Sequence, residues 1–124
     1  MKTPEYFEIA EDHAIFRPLC VASLNEAVQM VASAIFFARD HGIQNLLADL
    51  TGLTGFPSPN VTARYQLIKL GAEASGGIVR VAMVLRPEIM DPEKVGVVMG
   101  KHLGLVCDVF LTVPEALAWL RGLG

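Results

Sequence analysis

The sequence predicts one α/β domain in which an N-terminal β-hairpin leads into a mostly parallel sheet, with about four helices mainly on one face. The chain has 124 residues, the length of one domain, and no linker, charge block or repeat divides it. Strand and helix patterns follow each other in the order β-β-α-β-α-β-α-β-α, which calls for parallel pairing through right-handed crossovers. We therefore expect residues 1–124 to fold as a single domain.

The first elements are predicted to be two strands and a capped helix. Apolar segments at 6–10 and 14–20 flank the polar turn Glu-Asp-His and indicate an antiparallel hairpin. Ser23 and Glu26 have the spacing of a capping box, in which each side chain accepts from the backbone N–H of the other residue. Apolar residues then recur at helical spacing until Gly42, the expected C-terminal stop.

Three further helices are predicted from their start signals. Ser58 and Asp91 each precede a proline, which suits the first helical position, so we expect each of them to be an N-cap. Thr112 and Glu115 have the spacing of a second capping box. The predicted strands around these helices span residues 45–50, 78–86 and 105–111.

The strand at 78–86 alternates between two kinds of residue. Val79, Val81, Met83 and Leu85 alternate with Arg80, Ala82, Val84 and Arg86. A parallel strand covered by helices on both faces is instead continuously apolar. The alternation therefore predicts helices mainly on one face of the sheet and a less buried face that bears Ala82 and Val84.

The composition is apolar for a domain of this size, with 52 % hydrophobic residues and a mean hydropathy of +0.44. Such a small domain cannot bury that much apolar surface, which predicts a self-association surface or a site for an apolar ligand. We expect a homodimer, formed through the sheet face bearing Ala82 and Val84 or through the hairpin edge near Tyr6 and Ile9.

Charge and cysteine content argue against several classes of protein. The net charge is −3 and the ten Lys and Arg residues are scattered, so nucleic-acid binding is disfavoured. Cys20 and Cys107 stand alone, which indicates reduced thiols and a cytoplasmic protein. The most apolar segment, residues 30–38, is too short to span a membrane, and the N-terminus lacks the pattern of a signal peptide.

The segment DLTGLTGFPSPNV, residues 49–61, joins an apolar strand to a helix through a loop with two glycines and two prolines. With LLADLTGL, VRVAMVL and the terminal GLVCDVFLTVPEALAWL, the chain resembles the STAS/SpoIIAA-like superfamily of anti-sigma-factor antagonists and SEC14-type domains. The resemblance in element order extends over nearly the whole chain. It implies a SpoIIAA-like βα superhelix with a functional loop between the third strand and the next helix.

The loop of the antagonists resembles D-L-S-x-V-x-F-x-D-S-S-G and carries a phosphorylated serine beside the helix start. Asp49 and Leu50 match this pattern, and Thr51 stands for a serine. Ser58 falls on the first of the two adjacent serines, whereas Pro59 takes the place of the second, which is usually the phosphate acceptor. Because of this departure, the resemblance does not carry kinase-dependent switching over to this chain.

Five residues of this region are candidates for binding an anion or a partner protein: Asp49, Thr51, Ser58, Asn60 and Arg64. Ser58 has the position of a helix cap, and a cap has the same geometry as an anion site at a helix N-terminus. Asp49 lies at the carboxyl end of a strand, where it could face a ligand or tie down the loop through backbone N–H groups. Arg64 would add positive charge to an anion site or lie solvated on the surface.

The sequence predicts no catalytic group, no cofactor and no metal site. The histidines share no metal-ligand spacing, and the loop glycines fit neither the dinucleotide-binding nor the P-loop pattern. We therefore expect a non-enzymatic regulatory or protein-interaction module that uses the loop, as the resemblance also implies. The alternative is a carrier of a small apolar or lipid-like ligand, implied by the SEC14-like side of the resemblance and favoured by the composition.

Overall fold

A computed structural model describes residues 4–122, and in that range the chain forms seven strands and four helices. The strands are β1 (Phe7–Ile9), β2 (Ala14–Phe16), β3 (Cys20–Val21), β4 (Asn45–Asp49), β5 (Leu53–Thr54), β6 (Arg80–Val84) and β7 (Cys107–Phe110). The helices are α1 (Leu24–Asp40), α2 (Val61–Ser75), α3 (Val95–Leu103) and α4 (Val113–Leu120).

Five strands form the main sheet, in the order β1-β2-β4-β6-β7. β1 pairs with β2 in antiparallel fashion, and the other three neighbouring pairs are parallel. The predicted α/β class, with an N-terminal hairpin and a mostly parallel sheet, is therefore confirmed.

The second predicted strand is interrupted, because β2 ends at Phe16 and the chain starts a separate strand at Cys20. Pro18 lies between them and is fully buried; proline cannot donate to a strand ladder, so a break is expected there. β3 then pairs in parallel with β5 in a two-stranded sheet that the sequence did not predict.

Three helices cover one face of the main sheet and one helix covers the other. On the first face, Leu46, Ala48, Val81 and Met83 belong to a core that includes side chains of α1 and α2, with α3 packed against it. On the second face, Leu47, Ala82 and Val84 pack with Ala116 and Leu120 of α4. The prediction of about four helices mainly on one face is confirmed.

The prediction that the face bearing Ala82 and Val84 is thinly covered is wrong. These side chains are 0 % and 2 % exposed because α4 lies over them, so this face is not available for a homodimer. The sequence alternates because Arg80 begins the strand and Arg86 lies two residues beyond its end. Arg80 donates to the carbonyl of Leu120 at 3.0 Å and so binds the end of α4.

The aromatic side chain of α4 completes this layer. The leucines around it in the last helix predict a buried indole, but Trp119 is only half-buried. Its ring centroid lies 5.9 Å from that of Phe110. The guanidinium carbon of Arg80 lies 4.6 Å from the same indole centroid, in a cation–π contact. The indole therefore covers the edge of the layer between α4 and the sheet and does not fill its centre.

Two helix starts follow the predicted capping chemistry. Ser23 Oγ accepts from the Glu26 backbone N–H at 3.1 Å, and Glu26 Oε1 accepts from the Ser23 N–H at 3.0 Å. Thr112 Oγ1 accepts from the Glu115 N–H at 3.4 Å at the start of α4. These contacts fix where α1 and α4 leave the sheet.

The predicted cap at Asp91 is wrong, because α3 begins only at Val95. The Asp91 carboxylate accepts from the backbone N–H groups of Glu93 and Val95, at 3.1 and 3.0 Å. It therefore holds the turn that precedes the helix. Lys94, in the left-handed region at φ 52°, occupies the cap position without a side-chain bond.

The exposed apolar side chains include Ile9 on the outer hairpin strand, which is 60 % exposed. Association through this edge stays a prediction.

No helix in the described range is both long and apolar enough to cross a membrane. Both cysteines are free, and burial raises the pKa of the Cys107 thiol to about 11.

The packing of α4 gives a direct test of the two-faced architecture. Leu120→Ala removes a buried side chain from the contact between α4 and the sheet and should lower the free energy of unfolding by about 2–5 kcal/mol. Leu111→Ala, at an exposed leucine nearby in the chain, should change it by less than about 0.5 kcal/mol. Urea unfolding measures both values, and equal effects would contradict the described layering.

Candidate functional site

The Asp49 carboxylate ties down the beginning of the loop that follows β4. Its Oδ1 accepts from the backbone N–H of Thr51 at 3.2 Å and from the Thr51 hydroxyl at 2.7 Å. Its Oδ2 accepts from Nε of Arg17 at 3.3 Å. Asp49 is only 8 % exposed, and both of its oxygens accept from groups of the protein. This agrees with the alternative in which Asp49 ties down the loop.

The two loop glycines allow the loop to lie directly against residues 18–22. A Cβ on Gly52 would lie 2.9 Å from the carbonyl oxygen of Pro18, and a Cβ on Gly55 would lie 2.6 Å from that of Ala22. Gly55 also has a φ of +108°, a backbone conformation that other residues rarely adopt. The short strand β5 lies between these glycines and pairs with β3.

The helix that follows the loop is capped two residues later than predicted. α2 begins at Val61, and the side-chain oxygen of Asn60 accepts from the Ala63 N–H at 2.8 Å. Serine and asparagine are equally good N-caps, and the sequence Ser-Pro-Asn offers both. The chain uses Asn60, so the predicted cap at Ser58 is wrong.

Ser58 instead contacts Arg64, which lies one turn inside α2. Nη2 of Arg64 donates to Ser58 Oγ at 3.1 Å and to the carbonyl of Ile89 at 2.9 Å. These two candidate residues therefore meet, as Asp49 and Thr51 do, and the arginine also joins α2 to the segment that follows β6.

The inner side of the loop closes an apolar cavity of about 90 Å³. The cavity lies at the carboxyl ends of the central strands, between α1, α2 and α3. Hydrocarbon side chains from every surrounding element form its wall: Val28 and Val31 of α1, Leu53 and Phe56 of the loop, Leu67 and Ile68 of α2, Met83 and Leu85 at β6, and Val97 of α3.

Four charged side chains also line this cavity: Arg64, Arg86, Asp91 and Lys94. Lys94 Nζ lies 3.1 Å from the carboxylate of Asp108, so this cation is paired. The backbone N–H groups of Val95 and Glu93, and more weakly the charge of Arg64, hold the pKa of Asp91 below its ordinary value. Asp91 is therefore an anion whose two oxygens serve the backbone.

Arg86 brings a second guanidinium to the cavity wall. Its Nη1 lies 3.0 Å from Glu88, and its Nη2 donates to the carbonyl of Leu53 at 3.4 Å. Its Nε is buried, and no acceptor for it occurs in residues 4–122. A buried donor without a partner is costly and uncommon.

Of the five residues that the sequence singled out, the cavity wall contains only Arg64. Asp49 and Thr51 bond to each other, and Asn60 caps α2. Sequence reasoning missed Arg86, although one signal pointed to it. Arg86 follows β6 as the loop follows β4, and the carboxyl ends of parallel strands meet at one edge of the sheet.

No group of three or more His, Cys, Asp or Glu side chains within 4–122 could hold a metal ion. The cavity combines an apolar wall with charged side chains of both signs, which suits the binding of a molecule by burial and by contact with charged groups.

The start of α2 yields a second test. Asn60→Ala should lower the free energy of unfolding by about 1 kcal/mol, because the Ala63 N–H loses its acceptor. Ser58→Ala should cost less, since its exposed hydroxyl accepts only from Arg64. Thermal unfolding of both variants gives the order, and a larger loss for Ser58→Ala would contradict this assignment of the cap.

Comparison with known proteins locates the fold. No protein-family model matches the chain, and no curated protein matches it. Two solved structures resemble it over most of their length. One is an uncharacterized DUF3478-family protein with a SpoIIAA-like fold from Shewanella loihica PV-4, at 21 % identity over 92 % of this chain and 89 % of that one, with a TM-score of 0.52.

The other is the anti-sigma factor antagonist SpoIIAA in its unphosphorylated form. It is 15 % identical over 94 % of this chain and 96 % of its own, with a TM-score of 0.53. At these identities the likeness concerns the fold. The chain therefore has the SpoIIAA-like fold over nearly its whole length.

Proposed function

We propose that this protein is a non-enzymatic binding module that takes a small apolar molecule into the cavity between the loop and α1, α2 and α3. The observation that carries the proposal is the hydrocarbon wall of that cavity. Transfer of apolar surface from water into such a space is favourable by about 25 cal/mol per Å². Apolar cavities of about 150 Å³ in other proteins stay dry and bind benzene.

The position of the cavity supports the same proposal. Open α/β sheets bind their ligands outside the carboxyl ends of the strands. Here Leu50 and Leu85 follow the ends of β4 and β6, and both line the cavity. The binding site therefore coincides with the edge of the sheet at which this class of fold is open.

We also propose that the outer side of the loop is the surface for a partner protein. The side chains of Leu53 and Phe56 line the cavity, whereas Thr51, Pro57 and Ser58 are exposed. One segment thus contacts both the cavity and the solvent, so an occupant can alter what a partner meets. The fold likeness to an anti-sigma factor antagonist, a regulator by its name, supports this role.

We propose no chemical reaction at this cavity. The one carboxylate in the cavity wall, Asp91, accepts from two backbone N–H groups and serves the turn before α3. The two free cysteines support a reducing location, the cytoplasm.

A filled cavity provides the test. Val97→Phe adds an aromatic ring to a side chain that lines the cavity, whereas Val98→Phe adds it to a neighbour that is 52 % exposed. In NMR titrations with 1-butanol, we expect saturable shifts of cavity amides in the wild type and in Val98→Phe. In Val97→Phe, these shifts should be lost.

Thermal unfolding of both variants shows that they are folded. The proposal is overturned if 1-butanol shifts no cavity amide in the wild type, or if folded Val97→Phe binds as the wild type does.

A further inference from the structure

We infer that the occupant of this cavity is a small amphiphile with an oxyanion head, held at the mouth by the guanidinium groups of Arg64 and Arg86. The inference rests on the proposed function and specifies the class of ligand. It is based on the charged side chains around the apolar cavity: the carboxylates have partners, whereas the two guanidinium groups keep N–H donors without acceptors.

Arg64 interacts with the carboxylate of Asp91 only weakly and without a direct contact. In the described part of the chain it makes no ion pair, and its bonds go to the neutral oxygens of Ser58 and Ile89 through Nη2 alone. A guanidinium carries five N–H donors. The remaining donors of a side chain that lines the cavity are available to a ligand.

Arg86 adds an independent observation. Its Nε is a buried donor without an acceptor in residues 4–122, while Nη1 and Nη2 are engaged by Glu88 and Leu53. A guanidinium binds carboxylate and phosphate oxygens through adjacent N–H groups. The buried Nε is out of reach of a ligand oxygen, but Nη1 and Nη2 each carry a second N–H beyond the bonds to Glu88 and Leu53, and an oxyanion at this arginine can accept from these groups.

The carboxylates of the site do not take this place. Asp91 is held by the N–H groups of Glu93 and Val95, and Asp108 is paired with Lys94. Glu88 pairs with Nη1 of Arg86. Arg64 and the unengaged Nη N–H groups of Arg86 are therefore the groups that an added anion would complement.

The cavity volume limits the apolar part of the ligand. A cavity of about 150 Å³ holds benzene, which has six carbon atoms. On the same scale, the 90 Å³ present here hold about four carbon atoms. The shared chemistry is an oxyanion on a short hydrocarbon body, and the head is a carboxylate or a phosphate monoester.

The test compares four-carbon probes that differ only in the head: 1-butanol, butanoate, butyl phosphate and butylammonium. NMR titration of the full chain at low salt gives each dissociation constant. Butanoate or butyl phosphate should bind at least about tenfold more tightly than 1-butanol, because a hydrogen bond to a charged group is worth that much. Whichever of the two binds more tightly identifies the head, and butylammonium should bind more weakly than 1-butanol.

Arg64→Gln removes the positive charge of Arg64 and so tests the contribution of that charge apart from the contribution of the apolar wall. In this variant the anionic probe should bind within about threefold of 1-butanol, whose saturable shifts of the cavity amides show that the cavity still forms. Arg39→Gln is the matched control, because Arg39 lies beside Gly76 and outside the cavity wall. This variant should bind every probe as the wild type does.

Two outcomes separate this inference from the proposed function. Equal affinity for 1-butanol and both anions overturns the inference and leaves the apolar site standing. Tighter anion binding that survives in Arg64→Gln overturns the assigned role of Arg64. If no probe shifts the cavity amides, both the inference and the proposed function fail.

Discussion

The contact between the backbone at residues 18–22 and the loop at 52–55 determines the form of the site. Gly52 and Gly55 let the two segments approach until a Cβ at either glycine would collide with a carbonyl oxygen. β3 and β5 pair across this contact, and the carbonyl of Leu53 accepts from Arg86. The loop is therefore fixed from both sides, by the chain before α1 and by the arginine after β6.

This fixed loop explains why the space beneath it is not filled. Leu53 and Phe56 lie over the strand ends and face α1, α2 and α3 across the cavity. The pairing of β5 with β3 keeps this part of the loop from moving closer to the helices and filling the space. An unfilled cavity costs about 24 cal/mol per Å³, which is about 2 kcal/mol for this one. A ligand that binds only the folded chain would offset that cost by mass action.

Sequence reasoning predicted the fold well because it relied on patterns that extend over many residues. The alternation of strands and helices and the capping boxes at Ser23 and Thr112 determine the elements and their order. It failed on the face bearing Ala82 and Val84, because an arginine at the start of β6 and another just after its end make a covered strand look half-exposed. Arg80 binds the carbonyl end of α4, a tertiary contact that no local pattern shows.

For the candidate site, the sequence identified the correct loop and only part of its chemistry. Asp49 and Asn60 serve the fold, and Arg64 alone lines the cavity. Arg86 lies 37 positions after Asp49 in the sequence, and only the parallel pairing of β4 with β6 brings their ends to one edge. A cavity also has no sequence signal of its own, since its apolar lining has the spacing of ordinary core residues.

The proposed site requires an apolar space at the carboxyl edge of the sheet that small molecules can enter. Crystals of the wild-type protein under xenon pressure would show whether this space exists, because xenon enters apolar cavities without needing a hydrogen-bond partner. We predict a xenon site among the side chains of Val31, Ile68 and Val97. Diffraction that shows no xenon there, with Leu53 and Phe56 packed against these three side chains, would contradict the account.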